Sequence, residues 1–382
     1  MDVRRVSVFQ EFETPPEAPW TASGVRSRLV KYSGTLGQIV RVGTLAEQKI
    51  STYRLIRDAI LDGRPEDAVA LVEMFEHEAH VVHAHFQHDI PATRQYLLQH
   101  DCPPEALADA ESRILASVRY PNGAPYDARR AWHEFRSELK ELVRLIGAGA
   151  ADESLAQCRL AKEHWRQLHD RECDYLSGLL NEVMRAFGDD GIRDIWVSLN
   201  EWGFAVRYSD YDVSKRPWQE CLGALLYITF ESGRGHLMGP ERTGDVEFFE
   251  ERDRWGWAWD PCGSCGRLVR GDVVEGTPPR MEPPYGWPVL GGPYEWAWGK
   301  KGMSPYSVHS CIKLGQMAVD HFGYPLRVVE CPTYPERRND KCYRYVYKDP
   351  SLIPDAVYER IGRRRPTRFG SRRDVPGAAA RR

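Results

Sequence analysis

Apolar residues recur at three- and four-residue spacing through most of the first half of the chain, the period of helices that bury one face. The pattern predicts helices over residues 45–61, 65–88, 90–99, 104–118, 128–146, 154–187 and 193–204. Asp62-Gly63-Arg64-Pro65, Asp101-Cys102-Pro103-Pro104 and Gly147-Ala148-Gly149 supply the breaks between them. A faint self-similarity at an offset of 86 residues pairs Gly63 with Gly149, Glu66-Asp67 with Asp152-Glu153, His83 with His169 and His88 with Asp174. Read as a repeat, it places two similar helical hairpins side by side, with His83 and His169 at related positions.

After about residue 205 the pattern changes. A short apolar helix is expected over 218–230, followed by the glycine-rich turn Ser232-Gly233-Arg234-Gly235-His236. Residues 245–260 alternate as a strand does, which puts Trp255, Trp257 and Trp259 on one face. The stretch 277–305 is rich in Pro, Gly and aromatics and long enough to act as a lid. A helix over 308–322 and strands over 326–331 and 342–348 complete the reading. The fold class expected is α+β: an all-helical domain over 1–205, a smaller domain with an antiparallel sheet and a Cys/His metal site over 206–359, and a basic disordered tail over 360–382.

Composition narrows the class. The 382 residues leave room for two cores, and 42% apolar with 28% charged residues describes a soluble chain. No run approaches the roughly 18 apolar residues of a membrane helix, and no apolar segment follows the first seven residues as a secretory signal requires. Nine cysteines, an odd number, fit reduced thiols and a metal site better than a disulfide framework, so a cytoplasmic protein is expected. Residues 360–382 hold nine arginines and one aspartate, a local +8 against a chain total of −3, which leaves −11 on the rest. An acidic body argues against nucleic-acid binding as the main function, and the tail reads as a solubilising end.

The candidate chemistry lies in cysteine and histidine. In Cys262-Gly-Ser-Cys265-Gly266 two thiolates can share one ion, and the glycines allow the tight turn that aims backbone N–H groups at sulfur. Further ligands are expected from His309, Cys311, Cys331 or Cys342. His309 and Cys311 open a helix whose positive end favours thiolate, and Cys342 opens the last strand. The zinc set expected is thus Cys262, Cys265, His309, Cys311 and Cys342. Four protein ligands would close it, and three plus water would leave it reactive. Cys102, Cys158, Cys173 and Cys221 read as small buried hydrophobes.

Val329-Glu330-Cys331, a polar turn, and Cys342-Tyr-Arg-Tyr-Val-Tyr347, preceded by Pro305-Tyr306 and a helix ending at Phe322-Gly323, resemble the closing hairpin of vinyl-reductase-type (V4R) small-ligand domains and of 2-aminothiazoline-4-carboxylate hydrolase-like proteins. The resemblance covers 305–348. It implies a compact α+β pocket for a small molecule, often beside a cysteine-bound metal, in families that hold both enzymes and sensors. The longer, proline-containing turn and the extra Cys262/Cys265 pair depart from that pattern.

Five of the twelve histidines lie between His77 and His88. Glu73/His77 and Glu76/His80 are four apart, where a carboxylate-bridged di-iron bundle uses three. On the 154–187 helix His169 sits near Asp174, while Asp170 is expected to face elsewhere. A histidine oriented by an aspartate is a general base. The catalytic candidates are His169, Asp174 and His83. Trp257, Trp259 and Trp296 are expected to line a pocket between the two halves, roofed by 277–305. The leading expectation is a zinc-dependent hydrolase or lyase acting on a small aromatic or heterocyclic molecule. The rivals are a non-catalytic ligand-binding or sensing protein with structural zinc, its helical half serving for homodimerisation or partner docking, and a di-metal bundle oxidoreductase. No nucleotide-binding loop or dinucleotide fingerprint occurs, so neither ATP nor NAD is expected.

Overall fold

The computed structural model describes residues 8–17, 24, 26–201, 204 and 208–369. Among the described residues five longer helices make the first half, after single-turn helices at Gln10–Glu13 and at Leu45–Gln48, the latter split from the rest of the helix expected over 45–61 by the cap Ser51. Helix α1 (Thr52–Leu61) starts on Ser51, whose hydroxyl accepts the Arg54 N–H, and ends at Gly63 in the left-handed region (φ 65°). Helix α2 (Pro65–Gln99) carries proline in its first turn. Helices α3 (Pro104–Ser117), α4 (Ala128–Gly147) and α5 (Ala151–Glu201) follow, α4 capped by Asp127 and α5 preceded by Gly149 (φ 71°). The two long helices each begin two residues after one of the glycines aligned by the 86-residue offset.

Two expectations change here. The helices read as 65–88 and 90–99 are one, running through Pro91. An interior proline costs about 3 kcal/mol, and burial of Ile90, Tyr96 and Leu97 at roughly 1.5–3 kcal/mol each outweighs it. The first half is also not all-helical. Strands β1 (Val30–Ser33) and β2 (Gln38–Arg41) form an antiparallel hairpin whose turn uses Gly37 at φ 64°. Four-residue strands are too short for alternation to register. The expected break between 187 and 193 lies at Gly188, whose backbone is not helical. Residues 202–203 of the last expected helix lie outside the described residues.

In the second half, helix α6 (Trp218–Gly235) precedes a four-stranded antiparallel sheet of β3 (Glu247–Glu250), β4 (Arg254–Trp259), β5 (Val328–Glu330) and β6 (Cys342–Tyr347), in the order β3-β4-β6-β5. The stretch 245–260 is therefore a hairpin, because Arg252-Asp253 supplies a polar turn that alternation conceals. Its three tryptophans are all buried. Helix α7 (Cys265–Arg270) follows the knuckle, and a helical stretch over 309–322 (α8) passes through a π-helical turn at Ile312–Gln316. Helix α9 (Asp355–Arg360) leads into residues that pack on the body, with Arg360 on Glu330 and Arg363 Nε 2.6 Å from Asp320. So 360–369 is docked, and the rest of the expected tail lies outside the described residues. The α+β class holds, with one apolar core running from Phe9 to Ile361 through both halves. Among the described residues no helix is long and apolar enough to cross a membrane.

The seam that positions the site is α2 against the end of α6. Arg234 Nε lies 2.5 Å from Glu78 Oε1, and Trp165 Nε1 donates to the Gly235 carbonyl at 2.9 Å. A Cβ at Gly235 would meet Glu78 O at 2.6 Å and Val82 Cγ2 at 2.9 Å. Gly235→Ala is therefore expected to cost about 1–3 kcal/mol in urea unfolding by forcing α2 and α6 apart, and an unchanged midpoint would show the contact to be slack.

Candidate active site and sulfur centre

Strand register brings the sulfurs together. Trp259 of β4 pairs with Cys342 of β6, so Cys262 and Cys265 emerge three and six residues past that pair. On the other side of β6, Glu330 pairs with Tyr343, which sets Cys331 opposite Cys342. The Sγ atoms of Cys265, Cys331 and Cys342 lie within 4.8 Å of one another, and Cys262 Sγ is 3.7 Å from Cys265 Sγ. All four are buried. The thiols of Cys265 and Cys342 donate to Cys262, and backbone N–H groups of Gly266 and Ser264 add to this. Cys262 is thereby held well below the usual thiol range despite its burial. The same two thiols lower Cys331. The three mutually close sulfurs could hold one thiophilic ion; Cys262 approaches Cys265 but lies more than 4.8 Å from at least one of the other two, wider than the edge of about 3.8 Å in a tetrahedral zinc–sulfur site.

Two of the expected ligands are not in this set. Ser310 Oγ is 3.8 Å from Cys331 Sγ, and successive helical residues point about 100° apart, so His309 and Cys311 turn away on either side. Cys311 Sγ lies 3.3 Å from Glu295 O and accepts the Trp298 N–H at 3.2 Å. His309 Nδ1 is 2.6 Å from Tyr306 O. Cys331 joins Cys265 and Cys342 instead, with Cys262 beside Cys265.

His309 instead faces a cavity of about 300 Å³ walled by α2, α5, α6, α8 and the end of the sheet. Aromatic residues Trp196, Trp259 and Tyr306 line it together with His85, His236, Ser264 and several charged groups. Burial, with Lys313 nearby, pushes His309 down to about 4. The loop 277–305 contributes nothing to this wall and packs elsewhere, with Arg280 on Asp174, so it is not a roof.

Behind the wall lies a chain of buried groups. Asp170 Oδ1 is 2.9 Å from His169 Nδ1, and His169 Nε2 is 2.8 Å from His236 Nδ1. Arg166 Nη1 (2.9 Å) and Arg242 Nη2 (2.8 Å) also bind Asp170. Burial would raise the Asp170 carboxyl, but Arg242 and Arg267 outweigh it and hold it well below the carboxylate range. Burial keeps His169 and His236 low and hence neutral. With Asp170 ionised, His169 gives it the Nδ1 proton and presents Nε2 as acceptor. His236 must then donate from Nδ1, and its own Nε2 keeps a free lone pair. Gly263 secures this corner, since a Cβ there would meet His236 O at 2.2 Å.

The catalytic residues read from sequence are thus rearranged. His169 is fully buried behind His236, and its carboxylate is Asp170, which does reach it. Asp174 is taken by Arg267 (2.6 Å) and Arg280 (2.9 Å) and held at about 2. His83 stacks on Trp132 at 4.3 Å and lies 2.7 Å from Glu172, off the cavity. Of the three tryptophans expected from sequence, Trp259 alone lines the cavity. Trp257 packs between Phe230 and Phe248, and Trp296 stacks on Tyr294. Among the described residues no trio of metal donors forms from His77 to His88. Asp170, Asp272 and Glu275 do cluster, but Arg166, Arg171, Arg242 and Arg267 already neutralise them. His236, Trp196 and Tyr306 were missed. The glycines before His236 were the available signal.

Compared with known proteins, the chain matches no family model, no curated protein and no solved structure. The sulfur set is open to direct test. The purified chain loaded with Co²⁺ should show the thiolate charge-transfer and tetrahedral bands of one ion per chain. Cys331→Ser should lose those bands and unfold at lower temperature, whereas Cys311→Ser should keep them. The reverse pattern would restore the ligand set expected from sequence.

Proposed function

We propose that the chain is an enzyme acting on a small molecule by hydrolysis or elimination, with His236 as general base. The observation that carries this is the buried Asp170–His169–His236 chain, which ends on a cavity wall. A carboxylate fixed by arginines sets the tautomer of His169, and His169 in turn sets that of His236. The outer imidazole then accepts a proton from substrate or water, and the positive charge that develops is shared toward Asp170. The aromatic wall suits a flat aromatic or heterocyclic substrate. The likeness of 305–348 to V4R-type and 2-aminothiazoline-4-carboxylate hydrolase-like domains supports a small-ligand pocket.

Zinc is the ion this reading assigns to the four sulfurs. Four thiolates would close its coordination, so its role is structural: it would clamp the ends of β4, β5 and β6 and hold Ser264 and Trp259 at the wall. Nine free thiols suit a reducing, cytoplasmic setting. A non-catalytic sensor would share the closed metal site and the cavity, so the base decides between them.

Wild-type protein incubated with a small-molecule metabolite extract should deplete at least one species by mass spectrometry. His236→Gln should slow that depletion by roughly 10²–10⁴-fold while keeping its metal and its unfolding temperature. A variant as fast as wild type removes His236 from catalysis. A wild type that retains a molecule without consuming it favours the sensor.

A further inference from the structure

Buried cations in this fold have partners, with one localised exception. Arg234 is paired with Glu78, Arg166 and Arg242 with Asp170, Arg267 and Arg280 with Asp174, and Arg41 donates to the Ile50 and Glu47 carbonyls. The exception is a trio on the cavity wall. Lys313, Arg327 and Arg344 are 9%, 7% and 4% exposed and all line the cavity. Among the described residues none of the three has a carboxylate within 4.0 Å or a hydrogen-bond partner, and the Nε atoms of both arginines are buried and unpaired. Of the carboxylates on the same wall, Glu78 takes Arg234 at 2.5 Å, Asp210 takes Arg216 at 2.7 Å, Asp89 lies 2.8 Å from His88, and Glu231 takes the Gln38 amide at 2.8 Å through Oε1 while its Oε2 is buried and unpaired, more than 4.0 Å from all three cations.

Their placement follows from the same register that gathers the sulfurs. Arg344 sits two residues past Cys342 in β6, Arg327 precedes β5, and Lys313 lies in the π-helical turn of α8. The Arg344 guanidinium lies 3.6 Å above the Trp259 ring, which fixes its plane and leaves its N–H edges free for a planar or tetrahedral oxyanion. Burial, with Arg344 close by, lowers Arg327 to about 10. Arg327 and Arg344 repel one another, Lys313 adds a third buried positive charge on the wall, and Glu231 is the one carboxylate that acts on Arg327 from across the cavity, so a further negative charge entering there would offset a costly arrangement.

We infer that the cavity takes a small molecule bearing a carboxylate or phosphate, held by Arg327, Arg344 and Lys313. This rests on the cavity being the substrate site and adds the substrate's charge. The aromatic walls leave room beside the anion for a flat organic body.

The test is calorimetric titration of the full chain with benzoate, with benzamide as its neutral isostere, and with inorganic phosphate. One site per chain is expected for benzoate or phosphate and none for benzamide. Benzoate alone assigns a carboxylate, phosphate alone a phosphate. Arg327→Met and Arg344→Met should each weaken binding roughly tenfold or more, the scale of a lost hydrogen bond to a charged group. Without added anion, Arg327→Met should unfold at a higher temperature than wild type, since it removes an unpaired buried charge. Wild type that binds neither anion, or affinity unchanged in both variants, overturns the inference. So does an Arg327→Met that unfolds at a lower temperature. His236→Gln should bind the anion as wild type does. If it also keeps its turnover, the general-base reading falls while the anion site stands.

Discussion

A single buried carboxylate ties the molecule together. Asp170 receives Arg166 from its own helix, Arg242 from the turn after α6, and the imidazole of His169, with Arg267 from the knuckle helix 3.7 Å away. An ionised carboxylate without those partners would be untenable at zero exposure, and the arginines would be equally stranded without it. Each partner belongs to an element that builds the site. The same charge that joins the elements therefore also determines which nitrogen of His236 is left basic.

The second constraint is strand register. One ladder across β4, β6 and β5 sets Cys342 between the knuckle and Cys331, and two residues later delivers Arg344 to the cavity. A closed four-sulfur site there would fix the sheet end, and through Trp259 and Ser264 the wall itself. The sulfur group and the cavity are thus neighbours on one sheet end. On the proposed reading the sulfurs would hold the wall in shape, while the imidazole chain and the unpaired cations would face what enters the cavity.

Much of the helical frame was legible because long amphipathic helices repeat their signal over several turns. Gly63 and Gly149 marked real helix ends, and the gap between 187 and 193 holds the break at Gly188. The β1–β2 hairpin was not legible, because four residues give alternation no statistical weight. In the site, the Cys262/Cys265 pair was readable from local spacing, and Cys342 from its place at a strand start. The choice among His309, Cys311 and Cys331 depended on the phase of α8, which the contact of Ser310 with Cys331 settles in space and nothing settles in sequence. His236 is 67 residues from His169, and no local pattern links them. Asp170 was set aside because adjacent helical side chains diverge. The His169 imidazole nevertheless reaches it, Nδ1 lying 2.9 Å from Asp170 Oδ1.

The central claim is the proton arrangement along Asp170, His169 and His236. Nitrogen-15 NMR of histidine-labelled protein, assigned through His169→Gln and His236→Gln, reads it directly. The account predicts both rings neutral and protonated on Nδ1, with Nε2 of His236 bare. Because burial lowers both from their ordinary value near 6.5, that pattern should persist as the pH is taken from 8 to 7. A His236 that is protonated on Nε2, or doubly protonated at pH 7, would contradict it.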